Sequence, residues 1–198
     1  MKKILLIVLL GMFTISSVFC LDEYTGAGDD VIIIQKPTED MPAILMISGN
    51  YNKRHFSITS YDKNNSYIEL IVNTTEQYTG LVPIDLPNNT ITKFLEISAN
   101  GSWKIQVFPI GACPRIKIGE PFSGKGDYLL WVEGSASLAS ISGNSSKRHF
   151  SVIAYDGYGG YNGLMVNTTE SYTGKVRVPK NTLLLKISAI GDWSITLQ

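Results

Sequence analysis

Two stretches of this chain repeat each other almost residue for residue. Residues 47–107 carry ISGN, KRHFS, Tyr61-Asp62, VNTTE, Tyr78-Thr79-Gly80, ISA, Gly101 and Trp103, in that order. Residues 141–197 carry ISGN, KRHFS, Tyr155-Asp156, VNTTE, Tyr172-Thr173-Gly174, ISA, Gly191 and Trp193. The copies are offset by 94 residues from Ile47 and Ile141 to Gly80 and Gly174, and by 90 from Leu95 and Leu185 onward. One four-residue difference, in LVPIDLPNNTITK, accounts for the change. Such a repeat restricts the chain to two units of one architecture, because each segment must suit the same element twice.

The repeat also supplies two samples of every strand, which separates inward from outward positions. Phe56 and Ile58, like Phe150 and Val152, alternate with Ser57 and Ser151. The same alternation places Leu70, Val72, Leu164 and Val166 on an inner face, with Leu95, Ile97, Leu185 and Ile187. Trp103, Ile105, Trp193 and Ile195 follow suit. Period-two alternation with one polar face marks antiparallel sheets packed face to face, and no helical period competes with it after residue 20. VIIIQ with AILMIS, YLLWVE with SLASIS, and the TGLVPID and TGKVRVP runs complete about seven short strands per copy, the spacing of a β-sandwich. Asn100-Gly101 and Ile190-Gly191 read as tight hairpin turns with glycine at positive φ. The Pro37–Pro42 stretch reads as an interruption of the first hairpin. The expected organisation is a signal peptide at 1–20, a first domain at 21–110, a linker at 111–121 and a second domain at 122–198.

Lys2 and Lys3, an apolar run from Ile4 to about Ile15, and SSVFC have the form of a secretory signal with cleavage after Cys20. Phe19 stands where lipoprotein processing requires a small residue, so lipidation of Cys20 is the lesser reading. The expected location is secreted or associated with the cell envelope, with membrane contact only through the signal segment before cleavage. The chain has 17 basic and 17 acidic residues and no basic stripe, which argues against nucleic acid. Once Cys20 is removed, Cys113 is alone, so each domain must stand on its own core. Cys113 itself reads as an inert linker thiol or as one half of an intermolecular disulfide.

The shared pattern runs Phe-x-Ile or Phe-x-Val with Tyr-Asp, then Val-Asn, then Tyr-Thr-Gly, then Leu-x-Ile-x-Ala-x-Gly-x-Trp-x-Ile. It resembles a poorly characterised group of secreted bacterial and archaeal β-sandwich domains, and it differs at Glu76 and Glu170, where those domains often carry Gly. The resemblance implies an all-β fold of two tandem jelly-roll-like sandwiches, exported, with no catalytic activity to carry over.

The two histidines, His55 and His149, occupy one position in the repeat, each after Lys-Arg. Lys53, Arg54, His55, Lys147, Arg148 and His149 therefore form a candidate site for an anion or acidic sugar. The plainer alternative is a set of solvated charges that blunt a sheet edge. One histidine per domain does not make a zinc site, and the carboxylates Asp29, Asp30 and Asp127 are too few for calcium; no metal or cofactor is expected. Tyr158 and Tyr161, in a glycine-rich loop developed fully only in the second copy, are candidate stacking platforms for sugar rings. Asn64, Asn73, Asn88, Asn100, Asn144 and Asn167 sit in glycosylation sequons.

No GxSxG, HExxH, CxxC or phosphate loop is present, so the chain reads as a non-catalytic binding module for a glycan or a cell-surface protein. The alternative is a structural spacer or surface-layer component. A hydrolase is the least favoured class.

Overall fold

The computed structural model describes residues 22–86 and 90–198. The expected signal peptide with Cys20, and the sequon at Asn88, lie outside the described residues. The first copy holds β1 (Asp22–Ala27), β2 (Asp30–Ile33), β3 (Ala43–Gly49), β4 (Phe56–Tyr61), β5 (Tyr67–Thr74), β6 (Tyr78–Ile84), β7 (Phe94–Ala99) and β8 (Ser102–Pro109). A 3-10 turn at Ile110–Ala112 leads to a short β9 (Arg115–Lys117). The second copy follows with β10 (Pro121–Lys125), β11 (Tyr128–Glu133), β12 (Leu138–Gly143), β13 (Phe150–Tyr155), β14 (Tyr161–Thr168), β15 (Tyr172–Arg177), β16 (Leu184–Ala189) and β17 (Asp192–Leu197).

The strands form four sheets, ordered β1-β8-β3-β6 and β2-β7-β4-β5 in the first copy, and β10-β17-β12-β15 and β14-β13-β16-β11-β9 in the second. Within each copy, successive strands alternate between two sheets except at one hairpin, β4–β5 or β13–β14. That is the two-Greek-key order of a jelly roll. The all-β sandwich expected from the alternation is the fold observed. Each pair of sheets closes on its own core: Leu45, Phe56, Leu95, Trp103 and Ile105 in the first, and Leu130, Phe150, Leu185, Trp193 and Ile195 in the second. Burying each of these side chains contributes about 1.5–3 kcal/mol, offset by the entropy of ordering it.

Several expectations need correction. Each copy has an eighth strand beyond the seven expected, β1 or β10, which lacks a clear apolar alternation because its inner face carries only one aromatic residue and a glycine. Gly26 and Gly124 lie beneath the indoles of Trp103 and Trp193, where any side chain would collide with the ring. The positive φ belongs instead to the next glycines, Gly28 (80°) and Gly126 (75°), which turn the chain from one sheet to the other.

Gly101 and Gly191 are not at positive φ, and no hairpin forms there. They connect β7 to β8, and β16 to β17, across the two sheets of each sandwich. Pro37–Pro42 likewise spans β2 to β3 between sheets, not within a hairpin.

Leu70 and Leu164 do not point inward: they are 45% and 50% exposed. The ladder shifts register between Ile58 and Thr59, and between Val152 and Ile153. A β-bulge at that point reverses the facing of the residues that follow, up to a second shift between Ser60 and Tyr61, and between Ala154 and Tyr155. Ile71 packs against the first core and Met165 is buried in the second.

The segment expected as a linker is partly strand. β9 pairs parallel to β11 and adds a fifth strand to its sheet, while Cys113 and Pro114 are buried.

Candidate functional site

The copies meet through one face of each. The first offers Ile44, Leu81 and Phe108 from the outer side of its β1-β8-β3-β6 sheet, and the second offers Leu129, Tyr155 and Leu184 from β11, β13 and β16. Cys113 is buried in the same cluster at 3% exposure. That burial removes it from intermolecular pairing and pushes its thiol pKa up to about 11.

The edge of the contact is polar. The Leu81 N–H donates to the Asp127 carbonyl at 2.9 Å. The Tyr78 hydroxyl donates to Asp127 Oδ2 at 2.6 Å, and the Ala189 N–H donates to Oδ1 at 2.9 Å. Burial raises the Asp127 pKa, and the hydrogen bonds from Tyr78 and Ala189, with the charges of Lys186 and His149, pull it back. Burial, and then the Asp127 charge, hold the Tyr78 hydroxyl well above the usual phenol range. Lys186 Nζ reaches Glu69 Oε1 at 3.0 Å across the same boundary.

Beside this contact lies a cleft of about 870 Å³, within the size range of small-ligand sites. Its walls come from both copies: Lys53, Asn73, Glu76 and Tyr78 on one side, Lys125, Asp127, Arg148 and His149 on the other. Arg148 Nη2 lies 3.9 Å from Glu76 Oε1 across it.

The loops that carry these residues are built by the repeat itself. Asn50 sits at φ 56° and Asn144 at φ 59°, a conformation that asparagine tolerates. Asn50 Oδ1 accepts from the Arg54 N–H, and its Nδ2 donates to the carbonyls of Arg54 and Glu76. Asn144 does the same with Arg148 and Glu170. The ISGN asparagine thus ties the Lys-Arg-His loop to the NTTE loop in each copy.

Of the six candidate basic residues, Lys53, Arg148 and His149 line the cleft. Arg54 and His55 are exposed outside its walls, and Lys147 pairs with Glu170 at 3.2 Å. The cluster lies in the loop before β4 or β13, not on a strand.

Tyr158 and Tyr161 are 84% and 61% exposed, at the β13–β14 hairpin. They stand at the opposite end of β13 from His149, about 20 Å away by strand rise, so the two candidate sites are separate. Asp156 holds that hairpin by accepting from the Tyr158 and Gly160 N–H groups, and Asp62 does so in the first copy with Asn64 and Ser66.

Asn64, Asn73, Asn100 and Asn167 are exposed. Asn144 is not a glycosylation site in the folded chain: it is 3% exposed and its Nδ2 is committed to two carbonyls. Among the described residues no group of three metal-ligating side chains occurs.

The pairing of Tyr78 with Asp127 is not legible in the sequence, where Tyr78 is one of the repeated Tyr-Thr-Gly residues and Asp127 is weighed only as a calcium carboxylate. The signal available was the Gly-x-Gly-Asp run that ends in Asp29 and in Asp127.

No family model matches the chain, and no curated protein matches it. A solved structure described as "Life in the extremes: atomic structure of Sulfolobus Turreted Icosahedral Virus" aligns with 89% of this chain and 90% of its own, at 7% identity and a TM-score of 0.25. The jelly-roll assignment rests on the strand order of the chain itself.

Proposed function

We propose that this chain is a non-catalytic, exported binding module whose cleft between the two jelly rolls takes an acidic glycan segment. The observation that carries this reading is the convergence of Lys53, Lys125, Arg148 and His149 on one cleft with Glu76 and Asp127. Arg148 offsets Glu76, and Lys53 and Lys125 outnumber Asp127, whose Oδ2 already accepts from Tyr78. The balance left for a ligand is positive. Exposed Asn73 and the rings of Tyr78 and Tyr128 supply hydrogen bonding and apolar contact of the kind that sugars use. The site belongs to the pair of domains, so binding needs both copies in one chain. The exported setting is that of the sequence reading and of the resemblance.

The test is a binding screen of residues 22–198 against acidic and neutral polysaccharides by calorimetry. Acidic chains bind, Lys53→Glu and Arg148→Glu each weaken binding at least tenfold, and Tyr158→Ala leaves it unchanged. Binding of neutral glycans alone, or loss only with Tyr158→Ala, would move the site to the β13–β14 hairpin.

A further inference from the structure

The joint between the copies is heterologous: one face of the first copy meets a different face of the second. Each copy therefore also carries the half that its partner uses, and two of these halves are left over. At the tail, Tyr172 repeats Tyr78. Tyr78 lies 6.3 Å from Phe56 and Tyr172 lies 6.5 Å from Phe150, centroid to centroid, with tilts of 56° and 50°. Each tyrosine folds back over a glycine, Gly80 or Gly174, whose missing side chain makes room for the hydroxyl. At the head, Asp29 repeats Asp127. Its Oδ1 accepts from the Ala99 N–H at 2.8 Å, as Asp127 does from Ala189. Gly28 and Gly126 carbonyls cap the same tryptophan, Trp103 or Trp193. Among the described residues neither the Tyr172 hydroxyl nor Asp29 Oδ2 has a hydrogen-bond partner.

The surfaces around these two residues differ in a telling way. The head keeps the apolar character of the buried face it repeats: Val31, Ile33, Tyr61 and Phe94 stand where the second copy has Leu129, Trp131, Tyr155 and Leu184. Val31 and Ile33 are 63% and 58% exposed. At the tail, Lys175 and Gln198 replace Leu81 and Phe108. Lys175 and Arg177 on the tail edge are exposed, as are Asp30 and Glu96 on the head. The faces complement each other in charge, with less apolar area than the internal joint. The Glu69–Lys186 bridge is not repeated, since Gly163 and Glu96 stand at those positions.

We propose that copies of this chain associate head to tail, Tyr172 and the β15 edge of one engaging Asp29 and the exposed β2–β7–β4 face of the next, as Tyr78 and β6 engage Asp127 within the chain. A heterologous contact of this kind extends into rings or filaments and does not stop at a dimer. The polar tail makes the association reversible and sensitive to salt.

Sedimentation velocity over a concentration series tests this with no glycan present, so its outcome is independent of the cleft. Residues 22–198 contain every strand of both sandwiches, so this chain suffices. The weight-average mass rises past that of two copies as concentration increases, and falls back in high salt. Tyr172→Phe weakens the association about tenfold, the loss of one hydrogen bond to a carboxylate. Val31→Glu, on an exposed side chain of the head, abolishes it while circular dichroism is unchanged. In cross-linking, Tyr172→Cys chains form disulfide-linked pairs with Asp29→Cys chains, and neither variant pairs with itself. A chain that stays monomeric at all concentrations overturns the proposal. So does growth that halts at two copies with self-pairing of Asp29→Cys, which would mean that two heads meet face to face.

Discussion

Tyr78 of the first jelly roll donates its hydroxyl to the Asp127 carboxylate of the second at 2.6 Å, beside a backbone bond from Leu81 to the same residue at 2.9 Å. Three consequences follow from burying a tyrosine and a carboxylate where two domains join, and a fourth from a buried ion pair in the first domain.

Tyr78→Phe leaves a buried carboxylate oxygen without its donor. The expected cost is about 2 kcal/mol in chemical unfolding. Tyr172→Phe, the same change at the unpaired position, costs much less in dilute solution. Equal losses from the two variants would mean that the hydroxyl matters only for packing within each sandwich.

The raised pKa of Asp127 makes the joint sensitive to pH. Burial lifts it above the ordinary 3.8, against the pull of Tyr78, Ala189, Lys186 and His149. Between that raised value and 3.8, the folded chain binds more protons at this site than the unfolded chain. Stability from this residue therefore rises as pH falls through that window, and is lowest where the buried carboxylate is ionised. Asp127→Asn keeps an oxygen for the Ala189 N–H and removes the titration. The difference in unfolding free energy between wild type and Asp127→Asn, measured across this pH range, shrinks toward neutral pH in the variant's favour; a flat difference would refute the assignment.

Cys113 reports on the same joint. Its thiol is 3% exposed and pushed up to about 11 by burial. In the native protein at neutral pH it reacts with aromatic disulfide reagents far more slowly than a free thiol, because reaction needs the thiolate and access. Tyr78→Phe accelerates the reaction by loosening the joint. Rapid labelling of the wild type would place Cys113 at the surface.

A buried ion pair belongs to the first copy alone. Lys36 Nζ meets Asp85 Oδ2 at 2.5 Å, with side chains 2% and 3% exposed. Asp85 Oδ1 also accepts from the Thr92 N–H and hydroxyl. The second copy has Gly134 and Pro179 at these positions. Asp85→Ala strands the ammonium and costs about 3–5 kcal/mol, whereas Lys36→Met with Asp85→Asn, which tolerates the positive φ of 63° and keeps an acceptor for Thr92, recovers most of it. Hydrogen exchange places the loss in the first sandwich and spares the second. Uniform loosening of both would show that the domains unfold as one unit.

Much of the architecture was legible because the repeat sampled each strand twice. Phe56 with Phe150, Leu95 with Leu185 and Trp103 with Trp193 declared their inner faces through simple alternation. The errors came where geometry departs from that period. Leu70 and Leu164 alternate correctly in sequence, but one bulged residue turns them outward. Gly101 and Gly191 look like hairpin glycines, yet the strands that they join belong to opposite sheets. A turn's local chemistry does not reveal which sheet its strands will enter, because that pairing is decided by long-range hydrogen bonds.

The site divides the same way. The Lys-Arg-His loops were visible as a repeated motif, but their joint position was not. The sequence by itself determined that there are two units of one kind, all-β, each with its own core, since that follows from period, duplication and composition. Only the tertiary structure decided how the two units meet. The Tyr-Thr-Gly and Gly-x-Gly-Asp runs recur in both copies, so these motifs by themselves do not distinguish Tyr78 from Tyr172 or Asp127 from Asp29; the neighbouring Leu81 against Lys175 is the local difference. What separates them is which faces the short connection brings together: one tyrosine is buried against an aspartate, and its twin is left at the end of the molecule.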